Sequence, residues 1–417
     1  MVLLGDLVDH WLGPDLPVRV EAYDGSSCGP SDAPATIVVR SPDALRRVLA
    51  APGELGMARA YVAGDLDVEG DVFAALDLRH RLRGRRVGPL QLVGLVRLLG
   101  LRGLRRLPPP PEEVDLRGRR HGRARDAAAI AHHYDAGNEF YRLVLGPSLT
   151  YSCALFATPG DTLEQAQANK HELVSRKLAL GPGARLLDVG CGWGTMVLQA
   201  ARHHGVDAVG VTLARAQVDL ARARVAEAGL SGRVQVRLQD YRDVEDGPFD
   251  AVSSIGMFEH VGESRLAEYF HRLFRLLRPG GRLLNHGIGR PPGFARSRLP
   301  RNGFVDRYVF PDGELHEVGR VVSVVQQAGF EVRHVESLRE HYARTLRAWV
   351  GNLQGQWPAA VALVGDARAR IWRLYMAASA VAFEDDRTQV HQILAVKPDG
   401  GRSGMPPRPD WEVGTAV

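Results

Sequence analysis

The chain has 417 residues, 45% hydrophobic and 24% charged, enough for two domains that each bury a core. Its 46 glycines and 25 prolines follow no repeat period and no apolar run is long enough to span a bilayer, which excludes collagen-like, low-complexity and membrane-spanning classes. The formal net charge is +5, with arginine at every basic position except Lys170, Lys177 and Lys397, and the three cysteines, Cys28, Cys153 and Cys191, are too few for a disulfide framework or a four-cysteine zinc site.

Met1-Val2-Leu3-Leu4-Gly5-Asp6 lacks a basic leader and soon meets Asp9, so no secretory signal is expected, and a reducing cytoplasm fits the cysteine usage. Residues 1–107 read as a small α+β unit with a basic connector. Ala35–Arg40 is rich in β-branched residues and predicts a strand; Ser41-Pro42-Asp43 then opens a helix, with Ser41 as cap. From Arg79 to Arg125 there are 14 arginines against Glu112, Glu113 and Asp115, a cluster that suits an anionic partner, phospholipid or nucleic acid, or else a solvated linker. Within it, the apolar stretch Val87–Leu99 followed by Arg102, Arg105 and Arg106 suits a helix at a membrane interface. It suits a helix packed on a neighbouring domain equally well. Pro108–Pro111 is a stiff spacer, so 108–125 is taken as the linker.

Residues 126–399 alternate strand and helix patterns, which predicts a doubly wound α/β domain. Strands are expected at Arg185–Val189, Asp207–Val211, Val234–Leu238, Phe249–Ser254, Gly281–His286, Phe330–Val335 and Val390–Val396. The segment 400–417 is expected to be a flexible tail.

Leu186-Leu187-Asp188-Val189-Gly190-Cys191-Gly192-Trp193-Gly194 carries the first chemical signal. A buried strand runs into a glycine turn and then a helix, an arrangement that lets a ligand approach the backbone and favours an anion at the helix start. The spacing G-x-G-x-G is neither the dinucleotide fingerprint nor a P-loop. Asp188 can orient the turn or meet an ammonium group. The block resembles the S-adenosylmethionine site of Rossmann-like methyltransferases. That resemblance implies cofactor contacts at Asp188, Gly190, Cys191, Gly192, Trp193 and Gly194, and at Thr212, Leu213 and Gln217 after the second strand. Thr212 stands where most of that superfamily has an acid. Gln239, Asp240 and Tyr241 resemble the adenine-contacting segment, and Tyr151 and Ser152 complete the set.

Five further motifs accompany it: His133–Tyr141, Leu149–Ala154, Gly256–Gly262, Asn285–Gly289 and His341–Leu346. Together they resemble the cyclopropane-fatty-acid and mycolic acid cyclopropane synthase family, over roughly residues 126–397. The resemblance implies a Rossmann-like class I S-adenosylmethionine methyltransferase fold, with a doubly wound, mostly parallel seven-stranded sheet and a smaller N-terminal α+β accessory domain. It also implies methyl transfer from S-adenosylmethionine to the cis double bond of a phospholipid acyl chain through a carbocation, giving a cyclopropane or a 10-methylene chain. Cys153, Glu259, His286, Ile288 (through its backbone) and Tyr342 match the family's cradle for a bicarbonate ion that serves as base. Tyr134, Phe140, Tyr141, Phe258 and Tyr308 are candidate aromatic walls for the cation. Ser379 stands where many members have a cysteine, so an essential thiol there does not carry over. The expected partners are the inner membrane surface, on which the protein would sit peripherally, a second copy in a dimer, and a separate reductase for a methylene product. No nucleic acid is expected, since no stacking aromatics lie among the arginines, and no metal, since His132, His133, His203 and His204 form no ligand spacing set.

Overall fold

The computed structural model describes residues 3–13, 16–82, 94, 98–99, 107–114, 122, 125, 133–134, 136–293 and 303–411. The chain divides into two compact units.

The first unit comprises Met1–Asp115, Pro300–Val309 and Val364–Val381. Its sheet pairs β1 (Arg19–Ala22), β2 (Ser27–Cys28), β3 (Ala35–Val39) and β4 (Leu66–Gly70) in the order β2-β1-β3-β4. Val18, Val20, Val39, Tyr61 and Leu78 form its core together with Leu4 and Leu16. The expected strand is β3, and Ser41 Oγ accepts the Asp43 N–H at 3.2 Å at the start of the helix Asp43–Ala50. Of the apolar stretch 87–99 only Gly94, Leu98 and Leu99 are described, and Leu98 packs against this core. Arg102, Arg105 and Arg106 lie outside the described residues.

Two later segments belong to this unit although sequence reading placed them in the α/β domain. The reason is electrostatic. Arg370 donates to both Asp67 oxygens at 2.9 and 3.0 Å, and Arg373 donates to Val68 O at 2.9 Å and to the Tyr61 hydroxyl at 3.2 Å. Bidentate pairing holds the Asp67 carboxyl down at about 2 despite burial. Tyr308 is likewise part of this unit, where its hydroxyl contacts Glu113, itself clamped by Arg59 at 2.7 and 2.8 Å.

The second unit carries a seven-stranded sheet ordered β10-β11-β9-β8-β5-β6-β7. Its strands are β5 (Arg185–Val189), β6 (Asp207–Thr212), β7 (Val234–Leu238), β8 (Phe249–Ile255), β9 (Leu277–Gly289), β10 (Glu331–Ser337) and β11 (Gln389–Val396). All seven coincide with predicted strands; only β11 runs against its neighbours. This is the Rossmann-like class I methyltransferase architecture. Each face is buried under helices, so the central strands are apolar on both sides, as Leu186 and Leu187 show at 0% exposure. One face packs Leu187, Val252 and Leu283 on the helices Leu266–Leu276 and Val318–Gln327; the other packs Leu186, Ala251 and Leu284 on Leu163–Leu178 and Thr195–His204. The order reverses at β5, which lies between β6 and β8, and open α/β sheets bind ligands at the carboxyl ends of such strands.

The segment beyond Pro398 turns back instead of trailing away. Asp399 and Arg402 exchange backbone hydrogen bonds at 2.9 Å, and the Trp411 ring lies edge-on to His334 with centroids 4.8 Å apart. Among the described residues no helix is long and apolar enough to cross a membrane.

Candidate active site

The carboxyl end of β5 runs into a turn that only glycine satisfies. Gly190, Gly192 and Gly194 hold φ of 78°, 54° and 79°, and the Gly190 and Cys191 N–H groups both donate to Val211 O, at 2.9 and 3.0 Å. The turn delivers the chain to the helix Thr195–His204 and opens a cavity. Tyr151, Ser152, Asp188, Gly190, Cys191, Gly192, Trp193, Thr212, Leu213, Gln217, Gln239, Asp240 and Tyr241 line it, as does the aromatic candidate Tyr134. Gly194 does not line it: it caps the helix, and a Cβ there would stand 3.2 Å from Ala221 Cβ.

Several polar groups in the wall are already arranged. Ser253 Oγ donates to Asp188 Oδ1 at 2.6 Å, while burial raises the Asp188 carboxyl to about 6. Thr212 Oγ1 donates to Gln217 Oε1 at 2.8 Å, which turns the Gln217 amide nitrogen toward the Tyr134 hydroxyl. Trp193 Nε1 donates to Asn138 Oδ1 at 2.8 Å, and its ring meets Tyr141 at 4.8 Å and Tyr134 at 5.7 Å. Tyr151 stacks with His133 and meets Trp349 at a tilt in the same cluster. The Tyr141 hydroxyl donates to His133 O at 2.6 Å, so Tyr141 and its neighbour Phe140, both 1% exposed, brace the cavity wall from behind.

Sequence reasoning missed several cavity residues, among them Lys170, His171, Arg242, His260 and Arg265. Lys170 is the most unusual. It is 1% exposed, donates to Ser152 Oγ at 3.0 Å, and lies 3.4 Å from both ring nitrogens of His171. Burial pushes its ammonium down to about 7, against the pull of Asp188 and Cys153.

The five cradle candidates lie outside the cavity lining. Glu259 sits in the short turn Phe258–His260, next to the lining residues Met257 and His260. Its Oε1 accepts the Ile288 N–H at 2.7 Å; its buried Oε2 has no partner, and burial raises the carboxyl to about 7. His286 is 2% exposed with Nε2 unpartnered. Cys153 is fully buried, its thiol directed at the carbonyls of Ala154 and Leu338 at 3.2 and 3.6 Å, and burial raises its pKa far above the thiol range. Tyr342 packs against Phe383 with centroids 4.7 Å apart and edge-on to Trp349 at 6.0 Å. Phe258 fills the space over Gly287, where a Cβ would come within 1.8 Å of its ring.

Comparison with known proteins decides which chemistry this arrangement serves. The model of the mycolic acid cyclopropane synthetase family matches residues 121–393. The chain belongs to this family. It is an enzyme of the S-adenosylmethionine-dependent methyltransferase type. A probable fatty acid methyltransferase of Mycobacterium tuberculosis is 48% identical to it over 408 residues, 95% of each chain. The cyclopropane-fatty-acyl-phospholipid synthase of Escherichia coli K12 is 33% identical over 363 residues, 87% of this chain and 88% of that one. A crystal structure of a mycolic acid cyclopropane synthase with SAH and CTAB superposes with a TM-score of 0.61 at 34% identity, covering 65% of this chain and 98% of that one.

Proposed function

We propose that the enzyme methylates the cis double bond of an unsaturated acyl chain in a membrane phospholipid. The alkene's π electrons form a bond to the donor methyl carbon as its C–S bond breaks, leaving a cation on the acyl chain. Loss of a proton from the new methyl then closes a cyclopropane or, after a hydride shift, leaves an exocyclic methylene. Such a cation survives only where water is excluded, and aromatic faces stabilise it. Tyr134 and the rings clustered around it provide those faces.

One observation carries the phospholipid reading over a mycolic one. The match to cyclopropane mycolic acid synthase 2 of Mycobacterium bovis spans 64% of this chain but 94% of that protein, so most of the first unit has no counterpart there. The match to the phospholipid synthase covers 87% of this chain. A lipid substrate held in a bilayer suits peripheral attachment, for which the first unit and its arginine-rich connector are the proposed element.

The proton must leave to a base. Glu259 Oε2 and His286 Nε2 are buried polar atoms with no partner, and a small oxyanion that carries its own proton could donate to the carboxylate and accept from the imidazole. Bicarbonate fits that demand: Glu259, His286, the Ile288 backbone, Cys153 and Tyr342 would hold it, and it would supply the base.

Expression in bacteria lacking their own cyclopropane synthase, fed oleate, tests the reading by mass spectrometry of phospholipid acyl chains. A gain of one CH2 unit on monounsaturated chains is the expected result, and ozonolysis separates methylene from cyclopropane. Unshifted chains, from folded protein that binds S-adenosylmethionine, would move the acceptor to a small molecule or nucleic acid.

A further inference from the structure

Glu336, Gln392 and His286 stand directly opposite one another on β10, β11 and β9, forming one row across three adjacent strands. Lys177, from the helix Leu163–Leu178, reaches this row. It is 1% exposed, pairs with Glu336 Oε2 and donates to Gln392 Oε1 at 2.7 Å. The other end of the Gln392 amide, Nε2, lies 3.2 Å from His286 Nδ1. Gln392 is 0% and His286 2% exposed, so the His286 end of the row is sealed from solvent, while Glu336 at its other end is 34% exposed.

Donor and acceptor roles along this row are forced. An ammonium has only donors, so the amide atom facing Lys177 is the carbonyl oxygen. The amide nitrogen therefore faces the ring, and it too has only donors. His286 Nδ1 must then accept with its lone pair. Burial and the charges of Lys170, Lys177 and His391 keep this imidazole neutral, and its one proton must sit on Nε2. That nitrogen is the buried atom left without a partner.

We infer that Lys177 and Gln392 are positioning residues that lock His286 in the tautomer protonated at Nε2, so that His286 offers a hydrogen-bond donor to an oxygen acceptor in the site and cannot itself abstract the proton. The assignment of the base to an oxyanion, and not to the only histidine in the cradle, follows from this. The catalytic consequence rests on the lipid methyltransferase reading, whereas the tautomer does not.

The test is two-bond 15N–1H correlation spectroscopy on the full chain labelled at histidine, with His286→Asn identifying the signals. A pyrrole-type Nε2 and a pyridine-type Nδ1 are expected in the wild type, with or without substrate. The reverse pattern, or a rapidly exchanging average, overturns the proposal. Gln392→Glu places an acceptor opposite Nδ1, while Lys177 balances its charge. Its two signals should exchange types, and kcat should fall by ~10² or more at unchanged donor affinity. Exchanged signals with undiminished turnover would overturn the role in catalysis; unexchanged signals would overturn control by Gln392. Should Gln392→Glu fail to fold, Gln392→Leu removes the amide, and a mixed tautomer population is then the expected reading. The wild-type spectrum decides the tautomer even if acyl chains prove not to be the substrate.

Discussion

The Ile288 N–H donates to Glu259 Oε1 at 2.7 Å and leaves Oε2 of the same carboxylate buried without a partner. One oxygen therefore fixes the side chain and the other is free to serve chemistry. Glu259→Gln keeps an acceptor for Ile288 but loses the charge, so it should fold, bind S-adenosylmethionine with wild-type affinity and turn over on the order of a hundredfold more slowly. Calorimetric titration and acyl-chain analysis check the two halves. The carboxyl is raised from 4.5 to about 7 by burial, so the folded protein retains a proton that the unfolded chain loses between those values. The stabilisation is complete below pH 4.5 and is lost as pH rises through 7. Over that window the wild type should lose up to about 3 kcal/mol relative to Glu259→Gln in denaturant melts. A pH-independent difference would show that the group does not titrate there.

Lys170 lines the cavity at the glycine turn, where it donates to Ser152 Oγ, lies beside the His171 imidazole and feels the Asp188 carboxyl. An ammonium so placed suits the carboxylate at the amino-acid end of the donor. Lys170→Met should weaken binding of S-adenosylhomocysteine about tenfold or more and leave methylthioadenosine, which lacks that carboxylate, unaffected. Because burial lowers the ammonium to about 7, wild-type affinity for S-adenosylhomocysteine should fall as pH rises through that value, while the variant stays flat. Equal losses for both ligands would assign Lys170 to the cavity's structure instead.

Gly287 owes its identity to Phe258, whose ring occupies the place of a β-carbon. Gly287→Ala should cost about 1–3 kcal/mol through overpacking. It should also impair turnover, since Phe258 shares its turn with Glu259. Combining it with Phe258→Leu should return most of the stability in denaturant melts. Failure of the second substitution to compensate would place the conflict elsewhere.

The α/β unit was legible because its strands are continuous apolar runs set between helical patterns, and the turn Gly190–Gly194 because its backbone demands a residue without a side chain. The first unit's outlying segments were not legible. Arg370 and Asp67 lie 303 positions apart, and nothing local in Asp366–Glu384 marks Arg370 as a partner of β4. Lys170 and Lys177 were hidden differently. A chain that uses arginine nearly everywhere keeps lysine at just three positions, two of them seven residues apart on one helix and both 1% exposed. An ammonium is a compact cation that can be buried against a hydroxyl or an amide where a guanidinium fork cannot fit. The rarity of lysine, readable as a compositional habit, was the available signal for both residues.

The cysteines separate by burial. Cys153 and Cys191 are buried and Cys28 is half-buried. Desolvation raises the Cys153 thiol, with Lys170 and Thr345 only partly opposing it, and burial and Asp188 raise Cys191. A thiol reacts as its thiolate, so neither can act as a nucleophile near neutral pH. Partial burial and Asp9 raise the Cys28 thiol too, but it alone of the three is accessible, so iodoacetamide at pH 8 should modify Cys28 alone in the folded enzyme, slowly, and all three cysteines after denaturation, as read by peptide mass spectrometry. Cys153→Ser keeps a small hydrogen-bonding group at this position and should retain measurable methyl transfer, whereas an essential nucleophile would leave none. Rapid labelling of Cys153 in the native protein, or complete inactivity of Cys153→Ser with the fold intact, would restore a covalent role for the thiol.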